Sequence, residues 1–333
     1  MSDRAALIEM FRRHLTPKSD ARRFEWLYCD SPHGVGRAWV ACGDSNDEIA
    51  GAAAAFPRKL YYQGDERIGF VLGDFCMNEK YRSLGPALQL QRACLEGTEE
   101  SPFEFSYDFP SQSMMAVYKR LGVKQAGTLV RWGKPLRAEK KLERVTGSKS
   151  LARGLGAIAN GVLARRGWKG GNACDLVVHR SPCGEEFTAL DMHLRATPGI
   201  HTLRSADYLN WRFLAHPLIK HEILTARRRG ALIGYAVYTQ DAEDTTIVDI
   251  CSVEEPAVIA RLLAGAVDRL GRLGAATVSL HAGDAHPWNT LFERAGFRRR
   301  DSSPIVAYTR AGATVSGVDF QQNWYVMRGD RDS

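Results

Sequence analysis

Six residues, Arg82-Ser83-Leu84-Gly85-Pro86-Ala87, stand between an apolar run, GFVLGDFC, and a stretch with the spacing of a helix. A junction of this kind exposes backbone N–H groups at the positive end of a helix dipole, and such groups bind phosphate. The plainer reading is an ordinary turn, in which Pro86 suits the first helical residue and carries no N–H to give. Other chemistry is sparse. His33, His193, His201, His216, His221 and His286 are not spaced beside carboxylates as metal ligands would be, so no metal site is expected. Seven cysteines are scattered without C-x-x-C spacing, which argues against a disulfide framework or a zinc site and fits a reducing cytoplasm.

The elements that position the junction follow from composition and pattern. At 333 residues the chain has the length of about two domains. It is 44% hydrophobic and 25% charged, with no apolar tract of the roughly 18 residues that a membrane span needs and no signal-like N-terminus. The charge of +7 is uneven. Twelve Lys and Arg against three acids between Arg131 and Arg180 give that segment +9 and leave the remainder slightly acidic.

Matching patterns recur in the same order along the chain. FEWLYCDSPHG and LNWRFLAHPLIK both read W-x-[YF]-x-x-x-P, through Trp26, Tyr28 and Pro32, and through Trp211, Phe213 and Pro217. Each precedes a strand pair whose second member carries a glycine (Gly51, Gly234) ahead of an apolar run. MMAVYKRLGV (114–123) then matches WNTLFERAGF (288–297). The expected organisation is a domain over 1–135, a basic connector over 136–184, a second domain over 185–315 and a tail over 316–333. In each half, helix precedes antiparallel strands, then a helix, a strand, a helix and a closing strand, an α/β (α+β) arrangement with a mixed sheet. The aromatic repeats could stack on a ligand such as a sugar, but their recurrence favours packing.

The loop R-x-x-G-x-A after a long strand, followed some 30 residues later by SQSMMAVYKRLGV, resembles the GNAT superfamily of N-acyltransferases, as a tandem pair distantly similar to the Fem-type ligases. Ser111, Met114 and Val123 depart from that second motif, where Asn, Ala and Phe are usual. The resemblance implies two GNAT-like domains, each a mostly antiparallel sheet flanked by helices. It implies a donor, most simply acetyl-CoA, with its pyrophosphate on Arg82, Ser83, Leu84, Gly85 and Ala87 and its pantetheine arm along Phe75, Cys76 and Met77. Arg82 adds a cation, Gly85 permits close backbone approach, and Ala87 avoids crowding. Tyr118 is the position implied to protonate the leaving thiolate, and either Asp108 or Asp74 could attract the amine or relay its proton.

In the second half Phe292 replaces the tyrosine, and Glu254, Glu255 and Pro256 stand where the loop would be, so one acyl-CoA site per chain is expected. The acceptor that the resemblance implies is a primary amine, small or part of an envelope-polymer precursor. The alternatives are a Fem-like transferase using charged tRNA and a nucleic-acid-binding adaptor working through the basic connector. In that connector Leu151, Leu155, Ile158 and Val162 fall at helical spacing. The expected amphipathic helix packs between the domains, with a membrane surface as its other partner.

Overall fold

The structure is a computed structural model that describes residues 3–43, 48–99, 103–137, 174–239, 244–253, 256–310, 312–315, 319–322 and 324–331. The connector helix expected over 148–171, and Glu254 and Glu255, lie outside the described residues.

The first half runs α1 (Asp3–His14), α2 (Ala21–Phe24), β1 (Arg37–Cys42), β2 (Ile49–Tyr62), β3 (Asp65–Met77), α3 (Leu84–Glu99), β4 (Phe105–Asp108), α4 (Gln112–Arg120) and β5 (Lys124–Pro135). After β6 (Asp175–His179) come α5 (Glu185–Leu194), β7 (Ile200–Thr202), α6 (Ala206–Leu209), β8 (His221–Arg228), β9 (Ala231–Thr239) and β10 (Asp244–Ser252). The second half closes with α7 (Pro256–Arg272), β11 (Thr277–Gly283), α8 (Asn289–Arg294) and β12 (Arg298–Thr309). β6 falls in the stretch expected to be connector, and pairs with β8 as an edge strand.

The expectation of one sheet per half is corrected. The strands form a single sheet in the order β1-β2-β3-β4-β12-β5-β11-β10-β9-β8-β6, with β7 paired to the end of β2. β12, the last strand of the chain, pairs with β4, while β5 pairs with β11. Each closing strand thus completes the other half's sheet, and β5 and β12 pair with each other at the middle. The physical gain is that neither β4 nor β11 is left with an open edge inside the molecule. All pairs are antiparallel except β3–β4 and β10–β11.

Helices cover both faces. On one face α3 buries Ala87, Leu90, Gln91, Cys94, Leu95 and Thr98, the stripe that 3.6-residue periodicity predicts. Ser111 caps α4 by accepting from the Met114 N–H at 3.3 Å. The glycine shared by the two repeated motifs ends a helix in both places. Gly122 and Gly296 have φ of 77° and 90°, and the next residue's N–H returns to Tyr118 or Phe292 at 3.0 Å. Gly51 and Gly234 are likewise matched: a Cβ at either would press on backbone carbonyls of the neighbouring strand, Cys76 at 3.1 Å and Cys251 at 2.7 Å.

The other face holds a core drawn from both halves. The repeated W-x-[YF] stretches each form one turn of π-helix, Glu25–Cys29 and Asn210–Leu214. Trp26 and Trp211 stack at 5.1 Å, and each indole N–H donates to the other's backbone carbonyl, at 2.8 and 2.7 Å. These aromatics hold the halves together, as their recurrence suggested.

Candidate active site

β3 and β4 pair only at Phe70–Ser106 and Val71–Tyr107. Beyond that point they part, and among the described residues no strand pairs with the inner edge of β3 from Leu72 to Met77. Within this stretch the β2–β3 register slips between Ala52 and Ala54, and Asp74 takes a φ of 46°, so the strand bulges as it leaves β4. A wedge opens between parallel strands, with α3 starting at its mouth.

The loop after β3 supplies fewer donors than expected, for local reasons. The Arg82 N–H is used by Glu79 at 3.3 Å and that of Ser83 by Tyr81 at 2.8 Å. Ser83 in turn caps α3, its carbonyl accepting from the Ala87 N–H at 3.3 Å. The N–H groups of Leu84 and Gly85 have no partner among the described residues. The Arg82 side chain is exposed and donates to the Met77 carbonyl at 3.4 Å. A Cβ on Gly85 would meet nothing within 4 Å, so open space lies over the first turn of α3. Ala87 is buried in the layer between α3 and the sheet, and its small size serves packing. Phe75 packs at the edge of that layer, while Cys76 and Met77 are buried.

Tyr118 and Asp108 come together. Tyr118, 0% exposed, donates to Asp108 Oδ2 at 2.8 Å, and its oxygen accepts from Gln91 Nε2 at 3.2 Å. The Phe109 N–H holds the other carboxylate oxygen at 2.6 Å. Burial pushes Asp108 up to about 6, against the pull of those two donors and of Arg331. That places a carboxyl near neutrality, where a base both accepts and releases protons readily. Burial and the neighbouring Asp108 carboxylate push the phenol well above its ordinary value.

Asp74 is elsewhere. Arg23 grips both its oxygens, at 2.9 and 2.6 Å, and Tyr28 donates to it at 3.0 Å. A carboxylate so committed is a structural anion, held away from the Tyr118–Asp108 pair. Gln91 was not among the expected residues, although a glutamine within the apolar stripe of α3 is a visible signal. Nor was Arg331, whose nearness to Asp108 has no local signal.

The corresponding wedge of the second half is filled. β10 and β11 pair from Asp244–Thr277 to Ile247–Leu280, and beyond that the C-terminal segment runs through. Met327 bridges to Ala282, the Gly283 N–H donates to Val326 at 3.0 Å, and Gly329 lies close over Val248 and Phe213. Phe292 is fully buried. The described residues of the expected tail, 319–322 and 324–331, are therefore a packed part of the fold. Among the described residues, no helix is long and apolar enough to cross a membrane.

No family model matches the chain, and no curated protein matches it. Solved structures do. A GCN5-related N-acetyltransferase from Anabaena variabilis ATCC 29413 is 13% identical with a TM-score of 0.67, over 93% of this chain and 71% of that one. A probable N-acyltransferase from Enterococcus faecalis V583 is 14% identical with a TM-score of 0.65, over 92% and 70%. A GCN5-related N-acetyltransferase from Kribbella flavida is 15% identical with a TM-score of 0.53, over 80% and 58%. At such identities the shared property is the course of the backbone: this chain has the fold of the GCN5-related N-acetyltransferases.

Proposed function

We propose that this chain is an acyl-CoA-dependent N-acyltransferase that transfers an acyl group, acetyl in the simplest case, to a primary amine. The observation that carries the reading is the parting of β3 from β4 directly ahead of a loop with an exposed arginine and two N–H groups that have no partner among the described residues. An acyl-CoA would bring an activated thioester carbonyl.

The residues fit such a donor. Leu84 and Gly85 offer N–H groups to a diphosphate at the start of α3, Arg82 adds charge, and Ser83 shapes the turn. The inner edge of β3 through Phe75, Cys76 and Met77 offers backbone groups to the amides of the pantetheine arm. Asp108 takes the proton of the amine. With Asp108 ionised, Tyr118 points its proton at Oδ2; once Asp108 is protonated it donates to Tyr118 Oη, and the phenol's own proton is free to turn into the wedge. Gln91 holds the phenol in place throughout.

The chain reads as two copies of one plan, in matched elements and matched glycines, of which the second has exchanged its donor site for a seat for the C-terminus. One donor site per chain follows. The acceptor class suggested by the two-domain resemblance is an amino sugar or peptide of an envelope polymer, and the cytoplasm, where acyl-CoA is kept, is the expected compartment.

Hydrogen exchange read by mass spectrometry tests where the donor sits. Acetyl-CoA is expected to slow exchange of amides in Leu72–Met77 and at Leu84 and Gly85. Protection confined to Val248–Ser252, or none in the first half, would contradict the assignment.

A further inference from the structure

The C-terminal turn gathers three arginines. Arg328 and Arg331 flank the buried pair Gly329–Asp330, and Arg212 reaches them from the second π turn. Its Nε donates to the Gly329 carbonyl at 2.8 Å and its Nη2 to that of Arg331. The carboxylate within the turn is turned away: Asp330 accepts from Arg204 at 3.0 Å and from the Met327 N–H at 2.8 Å.

Arg328 is half-buried, and its side chain makes no hydrogen bond or ion pair among the described residues. Burial, Arg331 and Arg212 all press its pKa down. Beside it stands His281, opposite Arg131 in the β11–β5 register, with Nδ1 buried and without a partner. Burial and then Arg328 push this imidazole down to about 4, so at neutral pH it carries no charge. The nearby carboxylates are engaged. Asp301 pairs with Arg131 at 2.5 Å, and Asp108 holds Tyr118. The Arg328 guanidinium, drawn partly out of water beside other cations, carries a desolvation and repulsion cost. An anion placed against it relieves both costs and gains charge-assisted hydrogen bonds.

The place of the cluster gives it a use. Tyr107 donates to the Asp330 carbonyl at 3.3 Å, so the turn abuts the end of β4, where the wedge opens. Tyr107 belongs to the face opposite α3 and α4. Arg331 extends far enough to draw Asp108 down by its charge.

We propose that Arg328 and Arg331, with His281 beside them, seat an anionic group of the acceptor, a phosphate or carboxylate a few bonds from the amine, so that the amine lies over Asp108. This rests on the acyl-transfer reading above.

The test is calorimetric titration of the full chain, saturated with coenzyme A so that no acyl group can move, with O-phosphoethanolamine, β-alanine and ethanolamine. At least one of the two anionic amines is expected to bind at a single site and at least tenfold more tightly than ethanolamine; the better of them identifies the group. Arg328→Gln should lose that preference, and Arg328→Lys, which keeps the charge, should retain most of it. No saturable binding of either anionic amine, equal binding of all three, or a preference unchanged in Arg328→Gln would overturn the proposal. A chain that fails to bind coenzyme A overturns the donor reading instead. The amines are then compared on the chain alone, with Arg82→Gln separating binding at the loop from binding at the cluster.

Discussion

Tyr118→Phe is expected to lower acyl-transfer turnover by roughly 10²–10⁴-fold, the usual worth of a positioned proton donor, while acetyl-CoA affinity stays close to that of the parent. The ring sits in a packed cluster and is kept by the substitution; only the hydroxyl between Asp108 and Gln91 is lost. The pH profile should move as well. Burial places Asp108 at about 6, and the hydrogen bond from Tyr118 is the largest effect holding it down. A base works when deprotonated, so kcat/KM should rise with pH through about 6 in the parent protein. In Tyr118→Phe the carboxylate loses a donor, its pKa climbs, and the rising limb shifts upward. Stability has the opposite sign. A carboxyl raised above its ordinary 3.8 binds its proton more tightly when folded, so this contribution is present at low pH and fades as pH rises through about 6. Unchanged turnover would reduce Tyr118 to a packing residue, and an unmoved limb would remove Asp108 as the base.

The second large effect concerns the ion cluster that seats the C-terminal segment. Arg204 is 5% exposed, with Asp249 at 2.9 Å and Asp330 at 3.0 Å. Tyr235 donates to Asp249 at 3.0 Å from a neighbouring strand. Arg204→Met keeps most of the volume and leaves two buried carboxylates facing each other, which should cost about 3–5 kcal/mol at neutral pH. Burial already raises Asp249 in the presence of Arg204; without the arginine it rises further, and protonation then relieves the repulsion. The loss is therefore expected to be smaller at pH about 5.5 than at pH about 8, as read from urea unfolding midpoints. A loss below about 1 kcal/mol, or one that grows toward low pH, would show that the cluster does not hold the segment.

Local structure was legible because local chemistry sets it. The apolar strand ahead of Arg82, the helix that follows it and the glycine after Tyr118 all act within a few residues, and each stands where its pattern indicated. The Tyr118–Asp108 contact spans ten residues and two adjacent elements, so it too could be anticipated. Pairing over long distances could not. Exchange of β5 and β12 depends on which edges lie open once the halves meet, and no residue in either strand announces its partner. Asp74 reads as a free carboxylate until Arg23 arrives from 51 residues earlier. The final turn reads as a polar tail because its stabilising partners, Arg204, Arg212 and Tyr107, are far upstream.

The most direct measurement is calorimetric titration of the chain and of Gly85→Glu with acetyl-CoA. Because a Cβ at position 85 meets nothing within 4 Å, this substitution leaves packing undisturbed and places bulk and negative charge where the diphosphate would lie. One site per chain is expected in the parent protein and no measurable binding in Gly85→Glu, with both proteins unfolding at similar temperatures. Two equivalent sites, or undiminished binding by Gly85→Glu, would rule out a donor site at this loop.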